Sequence, residues 1–231
     1  MNEIVDKPYF FKFNVAVDCI IFGFDDEGLK LLLYKRNFEP EIGKWSLMGG
    51  FLSPEESLDK AASRVLAKIT GLKNIFLEQF HTYGDVNRDT GARVISAAYY
   101  ALIKISDFSQ SMIDEFGAQW WPVNDYPELV FDHGVMVESA LETLRSKAKN
   151  EPIGFELLPR FFTITQLRNL YEAIYQRTFD PGNFRKKILS MKLLDRLPIK
   201  DKTGSKKGAF LYEFNQNRYE RFKSQGFLFE L

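Results

Sequence analysis

Through the first half of the chain the apolar residues fall in short β-rich blocks. In the second half they shift to a helical spacing. Residues 14–24, "NVAVDCIIFGF", and 29–36, "LKLLLYKR", are two such blocks separated by the turn-forming "DDEG", which predicts an opening β-hairpin. Two further blocks, "NIFLEQFHTYGDVN" and "ARVISAAYYALIKI", are rich in aromatic and β-branched residues and meet at a polar "NRDTG" turn. Between the pairs, Leu58, Ala61, Ala62, Val65 and Ile69 recur at helical spacing. Ser53 stands as a candidate cap, with Pro54 in the first turn and Glu56 three residues after the cap. A second helix is predicted over 134–149, with Val135, Val137, Ala140, Leu141 and Leu144 on one face and a basic end; His133 and Asp132 are placed to cap it. Sheet, helix, sheet, helix predicts a mixed α/β domain over residues 1–150. Pro152, Gly154 and Pro159 mark "NEPIGFELLP" as a linker.

Residues 151–231 read differently. Thr163 caps a helix with Gln166 closing the box, and Ile164, Leu167, Leu170, Tyr171 and Ile174 form its apolar face. After a short turn Asp180 caps a second helix with Pro181 in its first turn, Phe184, Ile188 and Leu189 inward, and Asn183, Arg185, Lys186 and Lys187 left for the surface. A strand, a lysine-rich loop around Gly204 and an aromatic returning strand follow. Two helices and a basic β-hairpin describe a winged helix-turn-helix. Its second helix suits the major groove, where Arg and Asn read base edges. Lys200, Lys202, Lys206 and Lys207 of the wing, with Thr163 and Thr165 at the start of the first helix, suit phosphates.

Charge sharpens the division. The whole chain of 231 residues is formally neutral, yet residues 1–157 hold 16 Lys and Arg against 24 Asp and Glu, and residues 158–231 hold 15 against 7. The basic portion is the one suited to a phosphate backbone. The lone Cys19 sits within an apolar strand, which leaves no disulfide framework and no cysteine metal site. The first residues lack the order of a signal peptide and no long apolar run occurs, so a cytoplasmic protein with no membrane partner is expected.

The stretch "GGFLSPEESLDKAASRVLAKITGL" resembles the Nudix box, G-x5-E-x7-R-E-U-x-E-E-x-G-U, with Gly50, Glu56, Arg64, Leu66, Gly71 and Leu72 in matching positions. "GKWSLMGGF" resembles the approach to that box, with Met48 where proline is usual. The three carboxylates that hold magnesium or manganese in that family fall on Val65, Lys68 and Ile69. Two aliphatic groups and an ammonium do not ligate a hard dication, so the resemblance implies the fold without the hydrolysis. No catalytic residue, metal or cofactor is expected. A residual hydrolase using Glu55, Glu56 and Asp59, or a scaffold for an acidic protein partner, are the competing readings.

A degenerate Nudix domain followed by a winged helix resembles the Nudix-related transcriptional regulators, which include NrtR-type NAD regulators and sugar-responsive repressors. The stretches "FHTYGDVNRDTGARVISAAYYALI", "VFDHGVMVESALETLR" and "FELLPRFFTITQLRNLYEAIYQRTFDPGNFRKKIL" carry the resemblance over nearly the whole chain. It looks most like the arabinose-responsive branch. The resemblance implies an α+β architecture, a Nudix α/β/α sandwich and then the winged helix. It also implies a homodimeric repressor bound to double-stranded operator DNA and released by L-arabinose, with an ADP-ribose-sensing NAD regulator as the alternative. Candidate effector contacts are Tyr34, Lys35, Arg36, Trp45, His81, Tyr83, Asp85 and Arg88, on the strands and loops that line the cleft of that fold.

Overall fold

The structure, a computed structural model, describes residues 12–25, 27–70, 77–105, 117–203 and 207–231. Gly71, Leu72 and Lys206, and the side chain of Ile69, lie outside the described residues. The first domain is built on a mixed sheet of seven strands: β1 (Asn14–Asp25), β2 (Gly28–Lys35), β3 (Trp45–Ser46), β4 (Met48–Phe51), β5 (Leu77–Tyr83), β6 (Val94–Lys104) and β7 (Ala118–Pro122). The order is β3-β2-β1-β6-β5, with β4 also paired to β1 and β7 to β2. At its centre β1 and β6 run parallel, from Asn14 opposite Val94 to Phe24 opposite Lys104.

Both strands are apolar on both faces, so both faces must be covered. Val17, Cys19 and Ile21 join Ala97, Tyr99 and Ala101 under Ala61, Ala62, Val65 and Leu66 of α1 (Leu58–Thr70). Ile20 and Phe22 join Ala98, Tyr100 and Leu102 under Met136, Val137, Ala140, Leu141 and Leu144 of α2 (His133–Asn150). The result is the expected α/β/α sandwich.

Two of the expected helix starts differ. α1 begins at Leu58 and is capped by Ser57, whose Oγ accepts from Lys60 N at 3.3 Å. Ser53 and Glu56 instead close a turn before it, through Glu56 N to Ser53 O at 3.2 Å and Ser53 N to Glu56 Oε1 at 2.8 Å. Arg64 holds the same carboxylate from the next turns of α1, with Nη2 and Nε at 2.6 and 3.0 Å. For α2, Asp132 occupies the cap position without a side-chain cap bond, because its carboxylate is drawn to Arg88.

The second domain holds β8 (Phe162–Thr163), α3 (Ile164–Tyr175), α4 (Pro181–Ser190), β9 (Leu194–Asp201), β10 (Ala209–Phe214) and α5 (Gln216–Ser224), with sheet order β8-β10-β9. Both caps expected from the sequence form: Thr163 and Gln166 make a full capping box, and Asp180 accepts from Asn183 N with Pro181 in the first turn. Pro198 sits on the edge strand β9, where its missing N–H breaks no ladder. The core of this domain, including Leu167, Leu170, Tyr171, Ile174, Phe184 and Ile188, is continuous with the α2 face of the first domain. Polar bonds cross the same seam, from Arg145 Nε to Ile174 O at 3.1 Å and from Tyr175 Oη to Arg145 O at 3.3 Å. Among the described residues no helix is long and apolar enough to cross a membrane.

Leu144 is fully buried in this shared core. Leu144→Ala is expected to cost about 2–5 kcal/mol through lost transfer energy and an unfilled cavity. The measurement is the shift of the urea-unfolding midpoint.

Candidate functional site

A cavity of about 230 Å³ opens between β2, β4, the Arg36–Pro40 loop and the start of α2. Its lining includes Tyr34, Arg36, Phe38, Gly49 and Gly50, together with Asp18, Ser46, Arg88, Phe131 and His133. Topology explains the gathering. Asp18 is the one charged side chain in the middle of β1, on the face that carries Ile20 and Phe22. Opposite it on β4 is Gly49, where an added Cβ would stand 2.4 Å from Asp18 Oδ1. Only glycine leaves that carboxylate its place.

The buried charges are paired. Arg88 is 7% exposed and donates through Nε and Nη2 to both carboxylate oxygens of Asp132, at 2.8 and 2.7 Å, with Nη2 also 3.5 Å from Asp18 Oδ2. Ser96 Oγ donates to the same Asp18 oxygen at 2.6 Å. Burial works against the charge on Arg88, but the Asp132 hydrogen bond and the Asp18 charge outweigh it and raise its pKa. Arg36 donates from Nε to Pro40 O at 2.8 Å, and its guanidinium lies 4.3 Å from the Phe38 ring centre and 5.3 Å from that of Phe131.

His133 is 4% exposed, and its Nδ1 accepts from the backbone N of Leu47 at 3.1 Å. A backbone N–H can only donate, so Nδ1 carries the lone pair and the ring proton sits on Nε2. Burial lowers the pKa of the ring, and the nearby charges of Asp18 and Asp132 only partly oppose it. The imidazole is therefore neutral near pH 7.

Among its described residues, the helix that follows the Gly-Gly turn holds no metal constellation. Val65 is 4% exposed and packs into the core beneath α1, while Lys68 is exposed on its outer side. Arg64 holds the Glu56 carboxylate, and this hydrogen bond with that from Ser53 N depresses its pKa to about 2. Asp59 Oδ1 accepts from Tyr99 Oη at 2.6 Å. Among the described residues no group of three or more His, Cys, Asp or Glu is placed to hold a metal. The donor set does not fit the divalent cation of the family's hydrolases.

Of the eight effector contacts expected from sequence, Tyr34, Arg36 and Arg88 line the cavity. Lys35 points to solvent, and Trp45 packs edge-on against Trp121. His81 is exposed on β5 beside Tyr83, whose ring packs against the core beneath α2. Asp85 is exposed, its backbone O taking Arg88 N and Arg93 Nη1. The sequence reading missed Asp18, Ser46 and Phe131 and gave His133 a capping role. The signal for Asp18 was present, since it is a lone charge inside an otherwise apolar strand.

In the second domain Asn183, Arg185, Lys186 and Lys187 form an exposed face on α4, with Thr165 exposed at the start of α3. Arg185 Nη2 reaches Tyr212 Oη at 3.3 Å. Lys200, Lys202 and Lys207 are exposed on the wing, and Arg196 and Lys200 lie over the Phe210 ring at 4.5 and 4.6 Å. Thr163 is buried, its hydroxyl spent on the cap. A larger cleft of about 570 Å³ lies between the β1–β2 hairpin and α3, but its Lys30 is already held by Asp25 and Glu27 at 2.7 and 2.6 Å.

Comparison with known proteins decides the family. Residues 12–140 match the NUDIX domain, and residues 154–214 match the NrtR DNA-binding winged helix domain. The chain belongs to the NUDIX family. This NUDIX chain is 29% identical over 210 residues to the ADPR responsive transcriptional repressor NtrR of Acinetobacter baylyi, covering 89% of this chain and 84% of that one. The structure of Shewanella oneidensis NrtR complexed with a 27-mer DNA superposes with a TM-score of 0.77 at 29% identity, over 87% of this chain and 93% of that one. The NUDIX domain of the same NrtR complexed with ADP ribose matches with a TM-score of 0.50 at 32% identity, over 61% of this chain and 94% of that one. An ADP-ribose pyrophosphatase of Methanocaldococcus jannaschii is 32% identical over 124 residues, covering 54% of this chain and 70% of that one.

These findings correct the arabinose reading. The regulators matched along most of their length include an ADPR responsive repressor and NrtR. The arabinose assignment rested on overall similarity and on no single motif.

His133 supplies a test of the buried network. Its folded-state pKa lies below the ordinary 6.5, so as the pH falls through that value the unfolded chain takes up a proton that the folded chain refuses. Stability is expected to fall on acidification below about pH 6.5, by at most about 1.4 kcal/mol per pH unit. Urea unfolding at several pH values should show this slope in the wild type and a smaller one in His133→Gln.

Proposed function

We propose that this chain is a DNA-binding transcriptional repressor whose NUDIX domain senses ADP-ribose and no longer hydrolyses it. The observation that carries the reading is the junction, in one chain, of an NrtR winged helix with a NUDIX helix whose described residues include no metal-ligand cluster. The relatives that share both parts include an ADPR responsive repressor and a regulator crystallised with DNA. The exposed basic face of α4 and the wing lysines supply the physics of DNA binding: Asn183, Arg185, Lys186 and Lys187 at base edges and phosphates, Lys200, Lys202 and Lys207 on the backbone. Val65 and Lys68 in place of metal carboxylates remove the dication that would polarise a phosphoanhydride. In this reading the chain acts as a homodimer, two winged helices on a two-fold axis reading two half-sites. A chain that binds operator DNA works in the compartment that holds the chromosome.

The cavity of about 230 Å³ is smaller than the usual enclosure for a whole nucleotide sugar. It accommodates a sugar ring, with the remainder of the ligand running out past Arg36 and Phe38. An effector that favours a chain arrangement with the wrong half-site spacing lowers operator affinity by its differential binding to the two states.

Fluorescence anisotropy on operator fragments tests both parts. Lys187→Glu should weaken binding at least about tenfold and flatten the salt dependence of log K by about one unit or more. ADP-ribose should release the wild-type chain from DNA. Specific DNA binding that is indifferent to ADP-ribose would overturn the effector, and magnesium-dependent turnover of ADP-ribose would overturn the loss of hydrolysis.

A further inference from the structure

The cavity lining holds one donor and one acceptor that take no hydrogen bond among the described residues. Because Leu47 N fixes Nδ1 of His133 as the acceptor, the ring proton on Nε2 faces inward. The nearest carboxylate oxygen to Nε2 is Asp18 Oδ1 at 3.7 Å, beyond hydrogen-bonding distance. Asp18 Oδ2 takes Ser96 and Arg88, and Oδ1 takes no hydrogen bond among the described residues. Both side chains are more than nine-tenths buried, His133 at 4% and Asp18 at 7% exposed. Each atom thus presents one open hydrogen-bonding site to the cavity, where a ligand can take it.

Resting on the reading of this cavity as the effector site, we propose that His133 Nε2 and Asp18 Oδ1 together read a single hydroxyl group of the effector. Two polar atoms 3.7 Å apart can both be reached by one oxygen at ordinary hydrogen-bond lengths. That oxygen must accept from the imidazole N–H and donate to the carboxylate. An alcohol does both. A phosphate or carbonyl oxygen cannot donate, and a phosphate would meet the Asp18 charge head on; an ammonium group cannot accept. The pair therefore selects a sugar hydroxyl and rejects the anionic part of a nucleotide sugar, which is left to the outer cavity beside Arg36. Gly49 keeps the position open, since a Cβ there would press on Oδ1. His133 is also the first residue of α2, so the hydroxyl is felt at one end of the helix whose Arg145 touches α3.

Isothermal titration and thermal shift on the full chain test the pair, with ADP-ribose, a set of free pentoses and hexoses, and inorganic pyrophosphate as ligands. Asp18→Asn turns the acceptor into a donor, and His133→Phe removes the donor. His133→Gln can still accept from Leu47 and donate inward. ADP-ribose should bind the wild type and His133→Gln within about threefold of each other, and Asp18→Asn and His133→Phe at least about tenfold more weakly, the first through losing a hydrogen bond to a charged group and the second through leaving an enclosed hydroxyl without its donor. Pyrophosphate should not distinguish the wild type from Asp18→Asn. The melting temperature of each unliganded variant reports whether it folds, and the Phe and Gln pair at His133 decides the matter if Asp18→Asn does not. Equal affinity of all variants for ADP-ribose would overturn the proposal, as would a wild type that none of the hydroxylated ligands stabilises. A wild type that ignores ADP-ribose but is stabilised by a free sugar, with that effect lost in Asp18→Asn, upholds the pair and overturns the effector named above.

Discussion

The parallel pairing of β1 with β6 sets the terms for the first domain. A strand pair that is apolar on both faces cannot be left half covered, and the chain meets this with α1 on one side and α2 on the other. Asp18 breaks the apolar pattern at the middle of that pair. A carboxylate there must be neutralised or hydrogen-bonded, and Ser96, Arg88 and the start of α2 are assembled around it. The cavity is the space these groups enclose. Site and fold have a common origin in one charge on a buried strand.

The same logic explains what became of the helix in the NUDIX box. A hydrolase needs that helix to turn carboxylates outward to a metal. Here Val65 goes into the core under β1 and β6 and Lys68 goes to solvent, so the helix serves packing on one side and solubility on the other. Glu56 survives because it has different work, closing the turn at Ser53 and pairing with Arg64. The box keeps Glu56 and Arg64, which shape the backbone, and carries Val65 and Lys68 where the Nudix pattern has carboxylates.

How much was legible in the sequence depended on the range of the interactions. The winged helix was read nearly complete, because its signals are local: Thr163 with Gln166, Asp180 with Pro181, and the helical spacing of Leu167, Leu170, Tyr171 and Ile174. Helix α5 was not anticipated, since its only buried residue is Tyr219 and the apolar spacing is correspondingly faint. The start of α1 was misplaced by one turn because Ser53 and Ser57 offer equivalent caps in sequence, and only the pull of Arg64 on Glu56 separates them. The cavity was the least legible part. Its members come from β1, β2, β4, the loop before β6 and the start of α2, and choosing polar residues near the cleft recovered Tyr34, Arg36 and Arg88 but also took solvent-facing Lys35 and His81.

The continuous apolar core between the sandwich and the winged helix bears on how a signal can leave the cavity. The seam holds Leu144, Leu170 and Ile174 in one packed cluster, crossed by the Arg145 bonds. A close-packed seam of this kind does not bend smoothly under a small push, because interiors pack like crystals. On the function proposed above, each chain then behaves as a lever arm with a sensor near one end and a DNA reader near the other. In a dimer of such arms, what a ligand changes most cheaply is the angle at which they meet, which places the decision to hold or leave an operator at the dimer axis and in neither domain alone.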